Sequence, residues 1–255
     1  MTLSTYAGNA VLDALLRNIA LQIATPYVSL HSGDPALVGS NELSGNGYIR
    51  KLATYGAPSG GATDNAAAVT FGPATPNAWS AASYCGIWDQ EAAGGNYIGG
   101  SILTSGARTL LATQYAEFAI GAEDFSIGTA FGTTTLNNIV NSLLRNTLLQ
   151  GLAYLSLHTA DPGLTGANEL AGNGYGPRPL VTFGAAAAKI CTNSAAVATT
   201  TASGNWTQAT HGGLWTANAA GTFIWGYALT APQTILTGFF FRAAIGEIVV
   251  KVDPV

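Results

Sequence analysis

Hydrophobic residues recur at three- and four-residue spacing in two short stretches of the chain, one near the start and one near the middle. The first comprises Val11, Leu12, Leu15, Leu16 and Ile19, and the second Leu136, Ile139, Val140, Leu143, Leu144 and Leu148. Such spacing places the apolar side chains on one helical face and predicts two amphipathic α-helices. Thr135 is positioned to cap the second helix and Gly151 to end it.

Short segments rich in β-branched and aromatic residues follow each predicted helix, separated by Gly, Pro, Asn and Ser. In the first half they are Tyr27–His31, Tyr48–Tyr55, Ser83–Trp88, Tyr97–Leu103 and Tyr115–Ile120. This spacing is typical of an antiparallel sandwich or jelly roll. Residues 239–252 are predicted as one closing strand of the second half. Its weak alternation suggests that part of it lies between modules or subunits.

The chain repeats itself. YVSLHSGDPALVGSNELSGNGY at 27–48 returns as YLSLHTADPGLTGANELAGNGY at 154–175, and Ala119-Ile120-Gly121 returns as Ala244-Ile245-Gly246. His31 and His158 are 127 residues apart. A repeat with a period of this length is a whole domain rather than a solenoid unit. We therefore predict a mainly β protein of two tandem antiparallel β-sandwich (jelly-roll-like) modules, each preceded by one amphipathic α-helix. The modules are residues 1–128 and 129–255, and each is expected to fold alone.

Charged residues are scarce, at 9% of the chain, while hydrophobic residues make up 48%. That balance excludes intrinsic disorder, and nine Lys and Arg in 255 residues do not provide the basic face that nucleic acid requires. The net charge is −4, and a surface this weakly charged favours packing against other proteins. No apolar run is long enough to span a membrane, and the first residues do not form a signal peptide. Cys85 and Cys191 lack metal-binding spacing and are expected to be buried thiols.

The strongest motif is a strand followed by a structured loop, and it occurs once in each half. Asp-Pro initiates turns, and Gly-Asn-Gly supplies backbone with positive φ. We expect its residues to form a scaffold rather than a moving site. They are His31, Asp34, Pro35, Asn41, Glu42, Gly45, Gly47 and Tyr48 in the first copy, and His158, Asp161, Pro162, Asn168, Glu169, Gly172, Gly174 and Tyr175 in the second.

This motif resembles the LHTADPG…GANE…GGYAR module of virion structural proteins of tailed bacteriophages, which are described as head-decoration or tail-fibre-like proteins. The second copy is the closer match. The first has Ser32-Gly33 in place of Thr-Ala, and in the second a Gly-Pro insertion precedes Arg178, where the first has Ile49-Arg50. The resemblance implies a non-enzymatic virion protein, made in the host cytoplasm and located on the capsid surface. It would be a capsid decoration (cement) protein that binds the major capsid protein and itself as a homotrimer. The alternative is a tail-fibre or tail-tip component that binds the host receptor.

Chemical alternatives rest on few residues. His31, Asp34 and Glu42 include the residue types of a general acid–base site, but no G-x-S-x-G nucleophile motif is present and His211 has no partner in the first half. Glu123-Asp124 resembles an exposed acid pair. A calcium site at Asp34, Asn41 and Glu42 would lack the carboxylates of a tight site. We therefore predict no catalytic residue, no metal and no cofactor.

The tryptophans allow two interpretations. Trp79, Trp88, Trp206 and Trp215 occupy matched positions in the two halves, which favours core packing over sugar stacking. Trp225 has only Gly99 opposite it. Trp225, with Phe239, Phe240 and Phe241, is therefore our candidate for an interface.

Overall fold

A computed structural model describes residues 2–104, 106–128 and 131–252. The first half contains β1 (Thr2–Leu3), α1 (Thr5–Arg17), β2 (Tyr27–His31), β3 (Lys51–Leu52), β4 (Ala62–Asp64), β5 (Val69–Phe71), β6 (Tyr84–Trp88), β7 (Tyr97–Ile102), β8 (Ala116–Phe118) and β9 (Asp124–Ser126). The second contains α2 (Thr133–Leu144), β10 (Ala153–His158), β11 (Leu180–Val181), β12 (Ile190–Thr192), β13 (Val197–Ala198), β14 (Ala209–Trp215), β15 (Phe223–Gln233), β16 (Arg242–Ala243) and β17 (Val249–Lys251). The predicted mainly β fold with two tandem modules is confirmed.

Both predicted helices are present, with different ends. Ser4 caps α1 by accepting a hydrogen bond from the Ala7 amide. The helix ends at Arg17 and is followed by Asn18 in the left-handed conformation, so Ile19 lies outside it and is exposed. The predicted cap and end of α2 were wrong. Gly132 occupies the N-cap position, and the helix ends at Leu144, well before Leu148 and Gly151. Thr135 lies inside the first turn, where its hydroxyl donates instead to the carbonyl of Phe223 at 2.7 Å.

Each module is built on one larger antiparallel sheet. The first has the strand order β1-β7-β6-β2-β3 and the second β11-β10-β14-β15. Two-stranded ladders complete each module: β4-β9 and β5-β8 in the first, β12-β17 and β13-β16 in the second. Side chains alternate between core and solvent in the short strands; in β5, for example, Val69 and Phe71 are buried and Thr70 is exposed.

Three strands were predicted to be longer than they are. The segment Tyr48–Tyr55 forms only β3, and Tyr115–Ile120 forms only β8. The predicted closing strand at 239–252 is broken into β16 and β17, because the chain turns through Gly246, whose φ is +80°. This turn explains the weak alternation of the segment.

The two modules meet through reciprocal contacts, as related halves of a two-fold pair do. Leu21 and Leu149, which are equivalent positions, pair with each other as an antiparallel bridge. The Asn9 side-chain carbonyl accepts a hydrogen bond from the Lys189 amide at 2.7 Å. Its counterpart Asn137 accepts one from the Gly61 amide at 2.9 Å.

The helices lie at this junction. Helix α1 contacts β7 of its own module and β10 and β12 of the other, while α2 contacts β4 of the first module and β15 of the second. Most of the buried apolar residues form one continuous cluster that includes both helices. The boundary near residue 128 and the independent folding of each half stay predictions. Within the described part of the chain, neither helix has the length and apolarity that crossing a membrane requires.

Candidate functional site

Each module holds a buried cluster of one histidine, one serine and one tryptophan. In the first, the Nε2 atom of His31 lies 2.7 Å from Oγ of Ser29, and Nδ1 lies 2.7 Å from the carbonyl oxygen of Ser40. A carbonyl only accepts, so Nδ1 carries the proton and Nε2 accepts from the serine hydroxyl. The Ser29 oxygen in turn accepts from the indole N–H of Trp88 at 3.0 Å.

The second module repeats this cluster. His158 lies 2.7 Å from Ser156 and 2.6 Å from the carbonyl of Ala167, and Trp215 donates to Ser156 at 3.1 Å. Because the same chain of hydrogen bonds occurs in both modules, we interpret it as part of the structural framework of the module.

A serine 2.7 Å from a histidine resembles a nucleophile and its base, but this pair has no contact with solvent. Ser29 and His31 are both fully buried, as are Ser156 and His158. Burial lowers the pKa of each histidine, which keeps the imidazole neutral. Gly86 closes the site: a Cβ at this residue would lie 2.6 Å from Nε2 of His31 and 2.8 Å from Oγ of Ser29. No substrate atom can approach the hydroxyl in this arrangement.

The motif glutamate is held by an arginine. Both carboxylate oxygens of Glu42 accept from the Arg50 guanidinium at 2.8 Å. Arg50 also donates to the carbonyls of Gln90 and Ala92, and its guanidinium lies 3.6 Å from the ring centroid of Trp88. Tyr48 connects this group to β2, since its hydroxyl donates to Glu42 and accepts from the backbone amide at position 30.

Arg178 occupies the same position in the second module despite the Gly-Pro insertion before it. It binds both oxygens of Glu169 at 2.7 and 2.6 Å and lies 3.9 Å from the ring centroid of Trp215. The sequence prediction omitted both arginines, the two serines and Gly86 with its counterpart Gly213. The sequence did contain a signal for the other two residue types. In SLH the serine and the histidine are two positions apart and so lie on the same side of the strand, and CGIW has a glycine within a predicted strand.

The remaining motif residues shape the loop. Asp34 accepts from the amide at position 36 at 2.8 Å, and Asn41 donates to the carbonyl of Asp34 at 2.8 Å. The carbonyl of Pro35 accepts from the amides at positions 39 and 40. Asn41 itself has φ +60°. The second copy has the same bonds, through Asp161, Pro162 and Asn168.

The Gly-Asn-Gly segments form the far end of the loop. Gly45 and Gly47 both have positive φ, and the carbonyl of Asn46 between them accepts from the indole of Trp79 at 2.8 Å. The matching segment, Gly172 to Gly174, binds Trp206 in the same way at 2.9 Å. Tyr48 and Tyr175 pack edge-on against these indoles.

The calcium alternative does not fit this geometry, because the Glu42 oxygens are already bound by Arg50. Across residues 2–104, 106–128 and 131–252, no three His, Cys, Asp or Glu side chains are grouped as a metal would require. His211 is half-buried beside Thr210, 2.9 Å from its hydroxyl.

The tryptophans are mainly core residues. Trp79, Trp88 and Trp206 are buried, and Trp215 is half-buried beneath Arg178. Trp225, our candidate for an interface, is half-buried and stacks on Tyr227 with ring centroids 5.0 Å apart. Phe239 and Phe240 are exposed, whereas Phe241 is half-buried and packs on the core.

Glu123 corrects the prediction of an exposed acid pair. Asp124 is exposed, but Glu123 is buried and accepts a hydrogen bond from the Tyr55 hydroxyl at 3.0 Å through one oxygen, while the other is unpartnered within the described residues. Desolvation raises the pKa of Glu123 to about 8, so the carboxyl is mainly protonated at neutral pH. The two cysteines are buried free thiols, and burial raises the pKa of each to about 11.

Matched pockets lie beside the larger sheets, about 810 Å³ in the first module and about 720 Å³ in the second. Most of the residues that line one pocket have an equivalent in the wall of the other. Tyr115, Glu117 and Glu123 line the first, where Phe240, Arg242 and Ile248 line the second. The two modules therefore share one backbone plan, but the side chains at the rims of their pockets differ in charge and polarity.

Comparison with known proteins gives one result at the level of families. A family model described as podophage GP4 fiber I protein gp80 matches the chain twice, over residues 2–126 and 130–251. The two matched segments coincide with the two copies of the internal repeat. Among curated proteins, no sequence matches the chain.

Proposed function

Since the chain belongs to the podophage GP4 fiber I protein gp80 family, a family of phage structural proteins, we propose that it is a structural component of a podophage tail fibre. The observation that carries this proposal is the extent of the match, which covers both modules rather than one loop motif. The proposal takes up the alternative that the sequence resemblance offered beside capsid decoration. It assigns the protein to the virion.

The geometry of the motif loops supports a structural role. In both modules, the residue types that suggested acid–base chemistry are engaged in bonds within the loop. The Glu42 carboxylate is bound by Arg50, and the imidazole of His31 lies between Ser29 and a backbone carbonyl. These bonds fix the loop to the larger sheet, as a rigid building block requires.

Electron microscopy of virions labelled with gold-conjugated antibody against the recombinant protein tests its location. We expect the label on tail-associated fibres. Antibody absorbed beforehand with the purified protein controls for unspecific labelling. Label distributed over the head would contradict the fibre proposal.

Capsid decoration stays a prediction from the motif resemblance, and a second experiment separates it from the fibre proposal. Purified protein is sedimented with tailless heads stripped of their decoration. A fibre component is expected not to bind these heads saturably. Binding at the stoichiometry of the local three-fold positions would favour the cement role, with the major capsid protein as partner.

A further inference from the structure

Each module exposes three apolar side chains at matched positions. They are Leu111, Tyr115 and Ile120 in the first module, here called the first face, and Leu236, Phe240 and Ile245 in the second, here called the second face. Their exposed fractions range from 50% for Leu236 to 70% for Ile120. Single exposed apolar residues are ordinary, but three that are exposed at equivalent positions in both modules favour an interaction surface.

The equivalence of the two faces follows from the backbone bonds around them. The carbonyl of Leu111 accepts from the Gln114 amide at 3.1 Å, and that of Leu236 accepts from the Phe239 amide at 3.0 Å. After the next strand, the Gly121 amide donates to the carbonyl of Asn65 as Gly246 does to Asn193, both at 3.0 Å. The two faces therefore share one backbone geometry.

Their charges are opposite. Glu117 on β8 is paired across the ladder with Thr70, and Arg242 on β16 occupies the same place opposite Ala198. Both charged residues are exposed, and each belongs to the rim of its pocket. Within residues 2–104, 106–128 and 131–252, neither forms an ion pair.

The neighbouring positions follow the same trend. Asp124 in the first module is replaced by Val249 in the second, and Ser126 by Lys251. There is one exception in each module: Glu247 replaces Ala122 on the second face, and the exposed Arg108 lines the first pocket where Gln233 lines the second. The first face is thus the more acidic and the second the more basic.

We propose that the first face of one copy of this protein binds the second face of another copy. Contact between two first faces would bring Glu117 towards Glu117, and contact between two second faces would bring Arg242 towards Arg242. Contact between unlike faces brings opposite charges together, buries the apolar residues of both and so selects the partner.

Such a contact is head-to-tail, because it leaves one free face of each kind at the ends of the assembly. Assemblies of this type close into a ring or continue as a filament, according to the rotation at each contact. The proposal concerns the contact between copies, and it holds wherever on the virion the protein is located. A closed ring of three would be the homotrimer that the sequence resemblance implied.

Charge reversal of the full-length protein tests the proposal by sedimentation velocity over a range of protein concentrations. Glu117→Arg and Arg242→Glu are each expected to weaken self-association at least about tenfold. The double variant Glu117→Arg/Arg242→Glu restores the opposite charges and is expected to recover most of that loss. Exposed charges away from the faces, Glu91→Arg and Arg145→Glu, serve as matched controls.

The apolar contribution has its own variants. Ile120→Ser and Ile245→Ser are each expected to weaken self-association without changing the thermal unfolding midpoint, because both side chains are exposed in the single chain. A wild-type protein that stays monomeric at every concentration would overturn the proposal. So would single reversals that leave association unchanged, or a double variant that associates no better than either single one.

Discussion

The hydroxyl of Tyr55 donates a hydrogen bond of 3.0 Å to the buried carboxyl of Glu123, and neither residue has a polar counterpart in the second module. Phe183 occupies the position of Tyr55, since each pairs with an equivalent asparagine. Ile248 occupies the position of Glu123, and the backbone amides of both donate to that asparagine at 2.9 Å. One backbone plan therefore holds a polar pair in one module and an apolar pair in the other.

This pair makes stability depend on pH. Burial raises the pKa of Glu123 from 4.5 to about 8, so the folded protein retains a proton that the unfolded chain releases. The contribution of Glu123 to stability is complete below about pH 4.5 and is lost as the pH rises towards 8, by about 1.4 kcal/mol per unit.

Urea unfolding of the wild type and of Glu123→Gln between about pH 5 and pH 7.5 measures this contribution. Both proteins contain the buried histidines, so the pH effect of these histidines cancels when the unfolding free energy of one protein is subtracted from that of the other. We expect the difference in unfolding free energy to change steadily in favour of the variant. A constant difference across this range would mean that Glu123 titrates normally.

A double-mutant cycle tests the pair itself. Tyr55→Phe alone removes the one hydrogen-bond donor that the described residues offer to this Glu123 oxygen and is expected to cost about 1–3 kcal/mol. Tyr55→Phe combined with Glu123→Ile reproduces the pair of the second module and is expected to be neutral or stabilising at neutral pH. Chemical denaturation of the two single variants and the double variant gives the coupling energy. If the free energy of unfolding lost in the double variant equals the sum of the losses in the two single variants, the two side chains are not coupled and the interpretation is contradicted.

Arg50→Lys is expected to destabilise the protein by about 1–3 kcal/mol. Lysine keeps the charge but lacks the planar fork that binds both oxygens of the half-buried Glu42 and stacks on Trp88. Arg178→Lys should give a similar loss in the second module. Arg17→Lys is the control, since the pair of Arg17 with Asp13 is more exposed and is expected to contribute less than about 1 kcal/mol. If the thermal unfolding midpoints of all three variants fall by the same amount, the Arg50–Glu42 and Arg178–Glu169 pairs do not have the structural role described.

Gly86→Ala and Gly213→Ala test the closed Ser–His clusters. A Cβ at Gly213 would lie 2.6 Å from Nε2 of His158 and 2.6 Å from Oγ of Ser156, as close as at Gly86. We expect each substitution to cost about 1–3 kcal/mol through overpacking. Gly184→Ala is the matched control, because its nearest neighbour would be 3.8 Å away. If both buried variants unfold with the midpoint of the control, the clusters are looser than described.

Residues 1–128 and 129–255, produced separately, test the modular organisation. Each half is predicted to unfold cooperatively. Mixing them is expected to raise both midpoints, because α1 and α2 each contact strands of the other module. Differential scanning calorimetry of the halves and of their mixture measures this effect. Midpoints that do not change on mixing would show that the junction contributes little, and halves without a transition would contradict independent folding.

The sequence predicted the elements best where one local pattern decides them. The 3.6-residue apolar period predicted both helices, and the repeat predicted two β modules of one plan. Helix ends were less predictable. Thr135 has the chemistry of a cap, yet its hydroxyl is used by the carbonyl of Phe223, which is 88 residues away. That competition is a tertiary contact, so a local pattern does not contain it.

The motif residues were found in sequence, whereas their partners were found only in three dimensions. Arg50 and Arg178 were difficult to match because the insertion shifts the second by one residue relative to Glu169. Glu123 was predicted to be exposed because carboxylates usually are. Its partner Tyr55 lies 68 residues earlier in the chain, and only the paired ladders bring the two together.

The bridge between Leu21 and Leu149 has a consequence for how the protein behaves at low concentration. Two unlinked modules joined by such a symmetric contact would form a dimer and would separate on dilution. The peptide link makes their meeting intramolecular, so the local concentration of one module at the other is fixed by the linker and not by the amount of protein. The association of the two modules therefore does not depend on the protein concentration, and dilution does not separate them.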